Sequence, residues 1–442
     1  MSEPTKTMHL TTMLRPITFH TGGWRYPGSE PNAGFDINLL KKYTRQLEAA
    51  KVDAVFLADD LAVPNVPMDA LARSVTSIAF EPATLLASLS SVTERIGLVA
   101  TASTTYEAPF HVARRFASLD HLSAGRAAWN MVTTENAASA KNFGEAEHMN
   151  HADRYVRARE FYTVVSGLWD SFADDAFVCD PESGIFLDTD KMHVLDHKGD
   201  LFNVRGPLNI PRAPQGKPVV FQAGQSPPGR QLAAETADVV FCTPRNKEAA
   251  QELYVDLHKR VAAAGRDPAQ FRIMPCAFII IGDTVAEAKK KQLTLDSLIY
   301  YENGISILSN TFGVNARDWD PNGPVPENLP ETNASQSDRN SLIKIAKEEG
   351  LNVRQLAQRC GGCAANSFIG TVESVADEMC DWMQSGAGDG FTLFIPYVPA
   401  GLDDITEKLI PELQRRGVFR TEYAGRTLRE HFNLDQPANK FF

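Results

Sequence analysis

Short apolar runs alternate with helical segments along most of this chain, and this alternation restricts the possible folds more than any other feature. Runs such as 53–58 (DAVFLA) are apolar on every residue but the first, which is typical of parallel strands buried on both faces. Segments between these runs, such as 36–50, space their apolar residues as an amphipathic helix does. Eight such runs alternating with helices are the count of a (β/α)8 barrel. We therefore expect an α/β protein with a TIM-barrel fold.

The predicted elements cover the chain unevenly. The strands are predicted at 8–14, 53–58, 96–100, 125–132, 218–222, 238–242, 271–281 and 390–395. The helices are predicted at 36–50, 81–92, 109–122, 153–171, 228–236, 247–264, 285–298, 372–385 and 402–416. Two segments lack this pattern: 172–215, with a surface hairpin over 197–210, and 296–366, which is rich in Asn, Pro and Gly. The simplest organisation is one domain over residues 1–442 with two insertions, the second resembling a lid.

Composition excludes several classes of function. The net charge of −11 argues against non-specific binding to nucleic acid or to an anionic membrane, since both require basic patches. No signal segment and no run of eighteen apolar residues is present, so we expect a soluble, cytoplasmic protein. Cys360 and Cys363 form a CGGC motif, but no second C-x-x-C and no nearby histidine pair completes a ligand set, so no metal site is expected.

Polar side chains stand where the predicted strands end. Asp59 follows the second strand, Thr104 the third, and Asn130 lies near the end of the fourth. His151 and Tyr155 are four residues apart at the start of the next helix, so they share one helix face. Because active sites of (β/α)8 barrels form at the C-terminal ends of the strands, this clustering predicts a ligand site there. A long capped connection without a ligand is the alternative.

A turn after the fifth strand has the features of a phosphate site. Gly224 allows a close approach to the backbone, Ser226 can cap the helix that follows, and a proline suits the first helical position. The free N–H groups and the positive dipole end of a helix start bind phosphate. Gly-Ser turns before helices are common, so this signal gains its weight from its position after a barrel strand.

Several long motifs resemble those of one enzyme family. They are GRAAWNMVTTENAASAKNFG at 125–144, HADRY at 151–155, QAGQSPPGR at 222–230, HTGGWRYPGSEPN at 20–32 and the stretch 409–431. In their order they resemble the bacterial luciferase-like, FMN-dependent monooxygenases, in particular the subgroup of nitrilotriacetate and dibenzothiophene-sulfone monooxygenases. The resemblance extends from about residue 8 to residue 434 and is weaker between about 295 and 366.

The resemblance implies a two-component enzyme. Reduced FMN (FMNH2), supplied by a separate NAD(P)H:flavin reductase, would react with O2, and one oxygen atom would enter a small organic compound, possibly foreign to metabolism and similar to an aminopolycarboxylate or a sulfone. Family motifs assign flavin contacts to seven residues: Asp59, Thr104, Asn130, His151, Tyr155, Gly224 and Ser226. Tyr155, Gly224 and Ser226 would hold the phosphate. Related proteins are homodimers or homotetramers, which implies a homo-oligomer here.

Residues on the substrate side are predicted from position. His20 follows the first strand and is the best candidate for a catalytic proton donor, with a structural histidine as the alternative. Arg15 and Arg25 could pair with substrate carboxylates, or form surface ion pairs. Phe56, Trp129 and Phe143 could keep water from the flavin, or pack in the core. Residues 303–323 lie where related enzymes place a mobile lid.

Two other functions fit the same barrel. One is a deazaflavin-dependent oxidoreductase, in which the cofactor carries a hydride. The other is a barrel that binds a flavin without turnover. The HADRY motif and the Trp-Asn-x-Val-Thr pattern at 129–133 argue against the deazaflavin enzyme. Oxygen uptake by the protein with FMN and a reductase distinguishes the monooxygenase from the deazaflavin enzyme. A barrel without turnover would bind FMN but show no substrate-dependent loss of NADH.

Overall fold

A closed barrel of eight parallel strands forms the centre of the protein. The computed structural model describes residues 7–15, 18–63, 68–326, 329, 336–362 and 366–442. The barrel strands are β1 (His9–Arg15), β2 (Ala54–Leu57), β3 (Gly97–Ser103), β4 (Ala127–Val132), β5 (Val219–Gln222), β6 (Val239–Cys242), β7 (Arg272–Ile281) and β8 (Gly390–Phe394). Each pairs in parallel with the next, and β8 pairs with β1 to close the ring. The predicted fold is confirmed.

Helices surround the barrel. The main ones are α1 (Ile37–Ala49), α2 (Pro82–Ser90), α3 (Pro109–Leu122), α4 (His151–Trp169), α5 (Pro227–Thr236), α6 (Lys247–Ala263), α7 (Val285–Ser297), α8 (Tyr301–Phe312), α9 (Gln336–Glu349), α10 (Val353–Gly361), α11 (Val372–Gln384) and α12, a helix over 400–415 with a π-helical middle. Short helices lie at Met68–Leu71, Ser139–Asn142 and Leu428–His431, and single 3-10 turns at Gly23–Arg25, Ala33–Phe35, Val75–Ser77, Thr189–Lys191, Pro268–Gln270 and Ala316–Asp318.

Side-chain caps explain why several helices begin where the sequence predicts. Asp36 accepts hydrogen bonds from the backbone N–H groups of the first turn of α1, and Glu81 does the same for α2. Asn150 caps α4, and Ser226 caps α5. Each cap satisfies N–H groups that have no partner inside the helix. The two caps at α4 and α5 matter for function, because these helix starts face the same pocket.

Apolar residues fill two layers. Met13, Phe56 and Phe221 belong to the cluster inside the barrel, while Leu10, Val55 and Trp129 belong to the cluster between the strands and the helices. The C-terminal segment completes the inner cluster, because the ring of Phe432 packs 5.8 Å from that of Phe221. The interior is therefore a packed core, so a ligand must bind at one end of the barrel.

The two segments without barrel periodicity have structure of their own. Residues 172–215 contain a two-stranded hairpin, His197–Lys198 with Asn203–Val204, as predicted. A strand that the sequence analysis missed, Ser367–Gly370, pairs in parallel with the end of β7. Its sequence, SFIG, has two apolar residues between a serine and a glycine, so it lacks the continuous apolar run that marks the other strands.

The second segment, 296–366, contains the helices α8, α9 and α10, and α8 packs on α10. At Gly304 a Cβ would lie 1.9 Å from the carbonyl oxygen of Ala357. This glycine allows two helices to approach closely. Over the described ranges, no helix has the length and apolar character needed to cross a membrane.

Candidate active site

A cavity of about 970 Å³ opens at the C-terminal ends of the strands. Its wall comes from the segments after β2, β4 and β5 and from the start of α4. It includes Asp59, His151, Tyr155, Gly224 and Ser226, which are five of the seven residues predicted to contact a cofactor. The volume suits a ligand of cofactor size. The structure thus brings together side chains from three separate parts of the chain.

One end of the cavity is built to receive an anion. Tyr155 Oη lies 3.4 Å from Ser226 Oγ, and Ser226 Oγ accepts a hydrogen bond of 3.3 Å from the N–H of Gly229. A Cβ on Gly224 would lie 3.0 Å from Gly229 Cα and 3.4 Å from Tyr155 Oη. Residue 224 must therefore lack a side chain for the turn to place the two hydroxyl groups and the start of α5 around a single anionic group of a ligand.

The start of α4 faces the same end. The ring of His151 lies 4.9 Å from the ring of Tyr155, as their spacing predicts. Arg154, which the sequence analysis missed, also lines the cavity. Its Nη1 donates to the carbonyl oxygens of Thr133, at 3.2 Å, and of Thr134. Its position in HADRY, three residues after His151, was a signal that could have identified it.

Asn130 and Thr104 lie behind the cavity wall. Asn130 is 3 % exposed, and its Nδ2 donates to Thr101 Oγ1 at 2.8 Å. Its Oδ1 has no hydrogen-bond partner within the described ranges. Thr104 is fully buried, and its hydroxyl donates to the carbonyl oxygen of Val132 at 3.2 Å. The side-chain oxygen of Asn130 therefore lacks a hydrogen-bond partner in the described structure, whereas the hydroxyl of Thr104 has one.

Hydroxyl groups after β3 hold the segment after β4. Ser103 Oγ lies 2.6 Å from Thr134 Oγ1, and Thr105 Oγ1 donates to the carbonyl oxygen of Thr133 at 2.8 Å. Thr134 has a positive φ of 49°, which is uncommon for a residue with a branched side chain. Much of the polar tract at 101–105 thus shapes the cavity wall from behind.

A tyrosine–histidine pair supports the same segment. Tyr106 Oη lies 2.5 Å from His148 Nδ1, and the Tyr106 ring stacks on Phe143 at 4.9 Å. Burial, together with the charge of Arg154, lowers the pKa of His148. Burial also raises the pKa of Tyr106. At neutral pH both groups are therefore uncharged.

His20 is placed differently from its prediction. It is 2 % exposed and does not belong to the cavity wall within the described ranges. Its Nδ1 accepts from the N–H of Gly22 at 3.1 Å, and its Nε2 lies 3.3 Å from Asp296 Oδ1. Asp296 in turn accepts from Arg359 Nε at 2.6 Å. Both ring nitrogens are engaged inside the protein, because the loop after β1 turns towards α7 and α10.

The remaining candidates have other neighbours. Arg25 is exposed, and its Nη1 donates to the carbonyl oxygen of Leu298 at 2.6 Å. The side chain of Arg15 is outside the described part of the structure. Phe56 and Trp129 are core residues, and Phe143 is 44 % exposed against Tyr106. Neither Arg25 nor these aromatic rings belong to the described cavity wall.

Cys360, the first cysteine of the CGGC motif, is buried at the end of α10. Burial raises the pKa of its thiol to about 12, so it remains protonated at neutral pH. Cys363 lies outside the described residues. A thiol in this state is a packing group of low reactivity.

Comparisons with known proteins agree with this architecture. The family model for luciferase-like monooxygenases matches residues 14–389. The chain is 43% identical to nitrilotriacetate monooxygenase component A of Aminobacter aminovorans, with 98% of each chain covered. It is 39% identical to dibenzothiophene-sulfone monooxygenase of Rhodococcus erythropolis (strain XP), with 97% of each covered. Its structure is similar to that of riboflavin lyase with modified FMN and riboflavin, with a TM-score of 0.80, 30% identity and coverage of 96% of this chain and 95% of that one.

The barrel, the cavity and the full-length similarity lead to one conclusion. Both relatives are monooxygenases, and they match this chain almost from end to end. The chain belongs to the luciferase-like monooxygenase family, and it is a flavin-dependent monooxygenase that acts on a small organic compound.

Proposed function

We propose that this enzyme binds reduced FMN in the cavity, with the phosphate between the starts of α4 and α5. The observation that carries the proposal is the convergence of Tyr155 Oη and Ser226 Oγ, 3.4 Å apart, beside Gly224. Two hydroxyl donors and the N–H groups of a helix start suit a phosphate dianion. A similar fold that holds a modified FMN supports the same choice of cofactor.

Two features, one in the cavity wall and one behind it, fit a flavin. Asn130 Oδ1 is a buried acceptor without a partner in the described structure, and a flavin ring system has N–H donors that could satisfy it. Gly224 leaves room beside Tyr155 Oη that a Cβ would fill. His151 and Arg154 add cationic or polar groups near the phosphate end. The residues present therefore suit the group that the family uses.

Each residue predicted to contact the cofactor would have a positioning role. Reduced FMN, when bound, supplies the activation of O2 and the transfer of one oxygen atom. Tyr155, Ser226 and the backbone at Gly224 would hold the phosphate, with His151 beside them. Asp59, on the opposite wall after β2, would lie near the flavin ring, and Asn130 would contact it from below. Thr104 would support the wall through Val132, since its hydroxyl is already engaged there.

We also propose that the flavin arrives already reduced. A relative described as component A implies a second component, which for this chain would be an NAD(P)H:flavin reductase. The sequence contains no G-x-G-x-x-G dinucleotide fingerprint, which supports an enzyme that receives its flavin already reduced. FMNH2 would pass between the two proteins by diffusion or during a brief contact.

The substrate class is proposed from the relatives and from the charges on the wall. The relatives act on nitrilotriacetate and on dibenzothiophene sulfone, a polyanion and a neutral compound. The described wall carries Asp59, Asp60 and Glu135, whereas its one guanidinium, on Arg154, donates to two carbonyl groups. These charges favour a neutral sulfone-like compound over a polycarboxylate.

Other properties are proposed from family likeness. We propose one domain with insertions at about 172–215 and 296–366, a homodimer or homotetramer, and a cytoplasmic location. Sedimentation of the pure protein tests the oligomer.

Oxygen uptake tests the function. The protein would be combined with FMN, NADH, a general flavin reductase and either dibenzothiophene sulfone or nitrilotriacetate. We expect oxidised product, with the sulfone preferred over the polycarboxylate, and no binding of a deazaflavin. FMN binding without product from any substrate would indicate a non-catalytic barrel. Binding of a deazaflavin in preference to FMN would overturn the proposal.

A further inference from the structure

The loops after β2 and β4 are joined by side-chain hydrogen bonds at the mouth of the cavity. Asn136 Nδ2 donates to both carboxylate oxygens of Asp60, at 3.1 and 3.0 Å. Asn142 Nδ2 donates to the carbonyl oxygen of Leu61 at 2.8 Å. We name these contacts the β2–β4 clasp. Asp60 and Asn136 both line the cavity, so the clasp is part of its wall.

The strand order gives the clasp its importance. β3 lies between β2 and β4 in the barrel, so a contact between the loops that follow β2 and β4 must pass over the end of β3. This arrangement accounts for the burial of Thr104, which follows β3 and is absent from the cavity wall. Without the clasp, water could reach the cavity from the side between the two loops.

The clasp also fixes the residue next to it. Asp59, the predicted flavin neighbour, directly precedes Asp60 and lines the same wall. β2 ends at Leu57, two residues before Asp59. Asn136 is itself well placed, because its Oδ1 accepts from the N–H of Ala138 at 3.0 Å. That bond directs the Asn136 N–H groups towards Asp60.

We propose that Asn136 is a positioning residue for the oxygenation reaction, because it locks the loop after β2 against the loop after β4. The lock holds Asp59 against the flavin and closes the side of the cavity to water. The proposal rests on the proposed binding of reduced FMN in this cavity, but the lock itself can be measured in the protein without flavin.

Charge exchange tests the lock. Asn136→Asp places two carboxylates opposite each other, and we expect the loops to separate. Asp60→Asn leaves two amides, which can still form one hydrogen bond, so its effect is expected to be mild. The double variant Asn136→Asp with Asp60→Asn restores an amide–carboxylate pair in reverse order and is expected to recover the wild-type behaviour.

Two measurements follow these variants. In the flavin-free Asn136→Asp variant, we expect the backbone amides of 58–63 and 134–142 to exchange hydrogen at least fivefold faster than in wild type. In the double variant, the exchange rates are expected to return to within twofold of wild type. The Kd for reduced FMN, measured without oxygen, and the peroxide released per NADH consumed are expected to follow the same order. A variant that merely weakens the fold would lower the melting temperature without this rescue.

Gln46→Glu is the matched control. Gln46 Nε2 donates to Asp403 Oδ1 at 2.8 Å, another amide–carboxylate pair between two elements, and neither residue lines the cavity. We expect it to leave the Kd for reduced FMN unchanged. Unchanged exchange in Asn136→Asp, or a double variant no better than the single one, would overturn the lock. A different result would overturn the proposed function instead: hydrogen exchange recovers in the double variant, but neither the wild type nor any variant binds FMN.

Discussion

Tyr155 and Ser226 are 71 positions apart in the sequence, yet their hydroxyl oxygens lie 3.4 Å apart across one end of the cavity. Tyr155 comes from the first turns of α4, and Ser226 caps α5. These two helices follow neighbouring strands, β4 and β5, so their N-terminal ends lie side by side at the same end of the barrel. Two helix starts thus face the same end of one cavity.

Loss of the Tyr155 hydroxyl should weaken flavin binding. Tyr155→Phe removes one donor to the phosphate, and a hydrogen bond to a charged group contributes about 1.5 to 3 kcal/mol, or about ten- to hundredfold in Kd. Titration with reduced FMN under anaerobic conditions measures the change. Tyr162→Phe, two turns further along α4 and away from the cavity wall, should leave the Kd unchanged. Equal affinity for wild type and Tyr155→Phe would remove Tyr155 from the phosphate site.

A methyl group at residue 224 should have a similar effect through crowding. In Gly224→Ala the new Cβ would lie 3.0 Å from Gly229 Cα, so the turn must shift. We expect FMN to bind about tenfold more weakly, a loss of about 1.4 kcal/mol, because the backbone around the proposed phosphate site must give by a few tenths of an ångström. Gly184→Ala serves as the control, because residue 184 has a φ of +73° but open space around it. That control should cost stability and leave the FMN Kd intact.

Asn130 allows a test of the flavin ring contact. Its Oδ1 has no partner in the described structure, so Asn130→Ala removes an unsatisfied acceptor together with the bond to Thr101. We expect weaker FMN binding, together with a stability loss of only about 1 kcal/mol in the flavin-free protein. Denaturant unfolding with and without FMN separates the two effects. An unchanged FMN Kd would show that Oδ1 faces no flavin donor.

His20 separates a catalytic role from a structural one. Because both ring nitrogens have partners inside the protein, we expect His20→Gln to lower the melting temperature by loosening the contact with Asp296. The shape of the pH profile of kcat should remain that of the wild type. Loss of one limb of that profile, at normal stability, would support the proton-donor role instead.

Acid should destabilise the base of the barrel through His431. Burial lowers the pKa of His431 from 6.5 to about 4, and the unfolded chain therefore binds the proton first as pH falls. The free energy of unfolding should decrease between about pH 6.5 and 4, by up to about 3 kcal/mol at about 1.4 kcal/mol per pKa unit. Urea unfolding at a series of pH values measures it.

The His431→Gln variant is the comparison for this prediction. It has no titrating imidazole at that position, so its stability should depend less on pH in this window. Burial alone would raise the pKa of Asp53, but the charges of Arg420 and His9 outweigh it and lower this pKa below its ordinary value of 3.8. The stability that Asp53 contributes is therefore lost only at lower pH. An identical pH slope in wild type and His431→Gln would contradict the assignment.

The sequence alone predicted the barrel and five of the residues that line the cavity. Fully buried parallel strands are apolar on both faces, and caps such as Asp36, Glu81 and Ser226 mark helix starts locally, so these features can be recognised without a structure. His151 and Tyr155 were also predictable as neighbours, because helical spacing fixes which residues share a face.

Only the tertiary structure decided which polar residues face the cavity. Asn136 and Thr104 both stand after strands, but Asn136 binds Asp60 at the mouth, whereas Thr104 is buried with its hydroxyl on Val132. His20 turned away from the site because its loop packs against α7 and α10. Such outcomes depend on contacts between segments far apart in the chain, and local periodicity, which reports only the face of one element, contains no information about them.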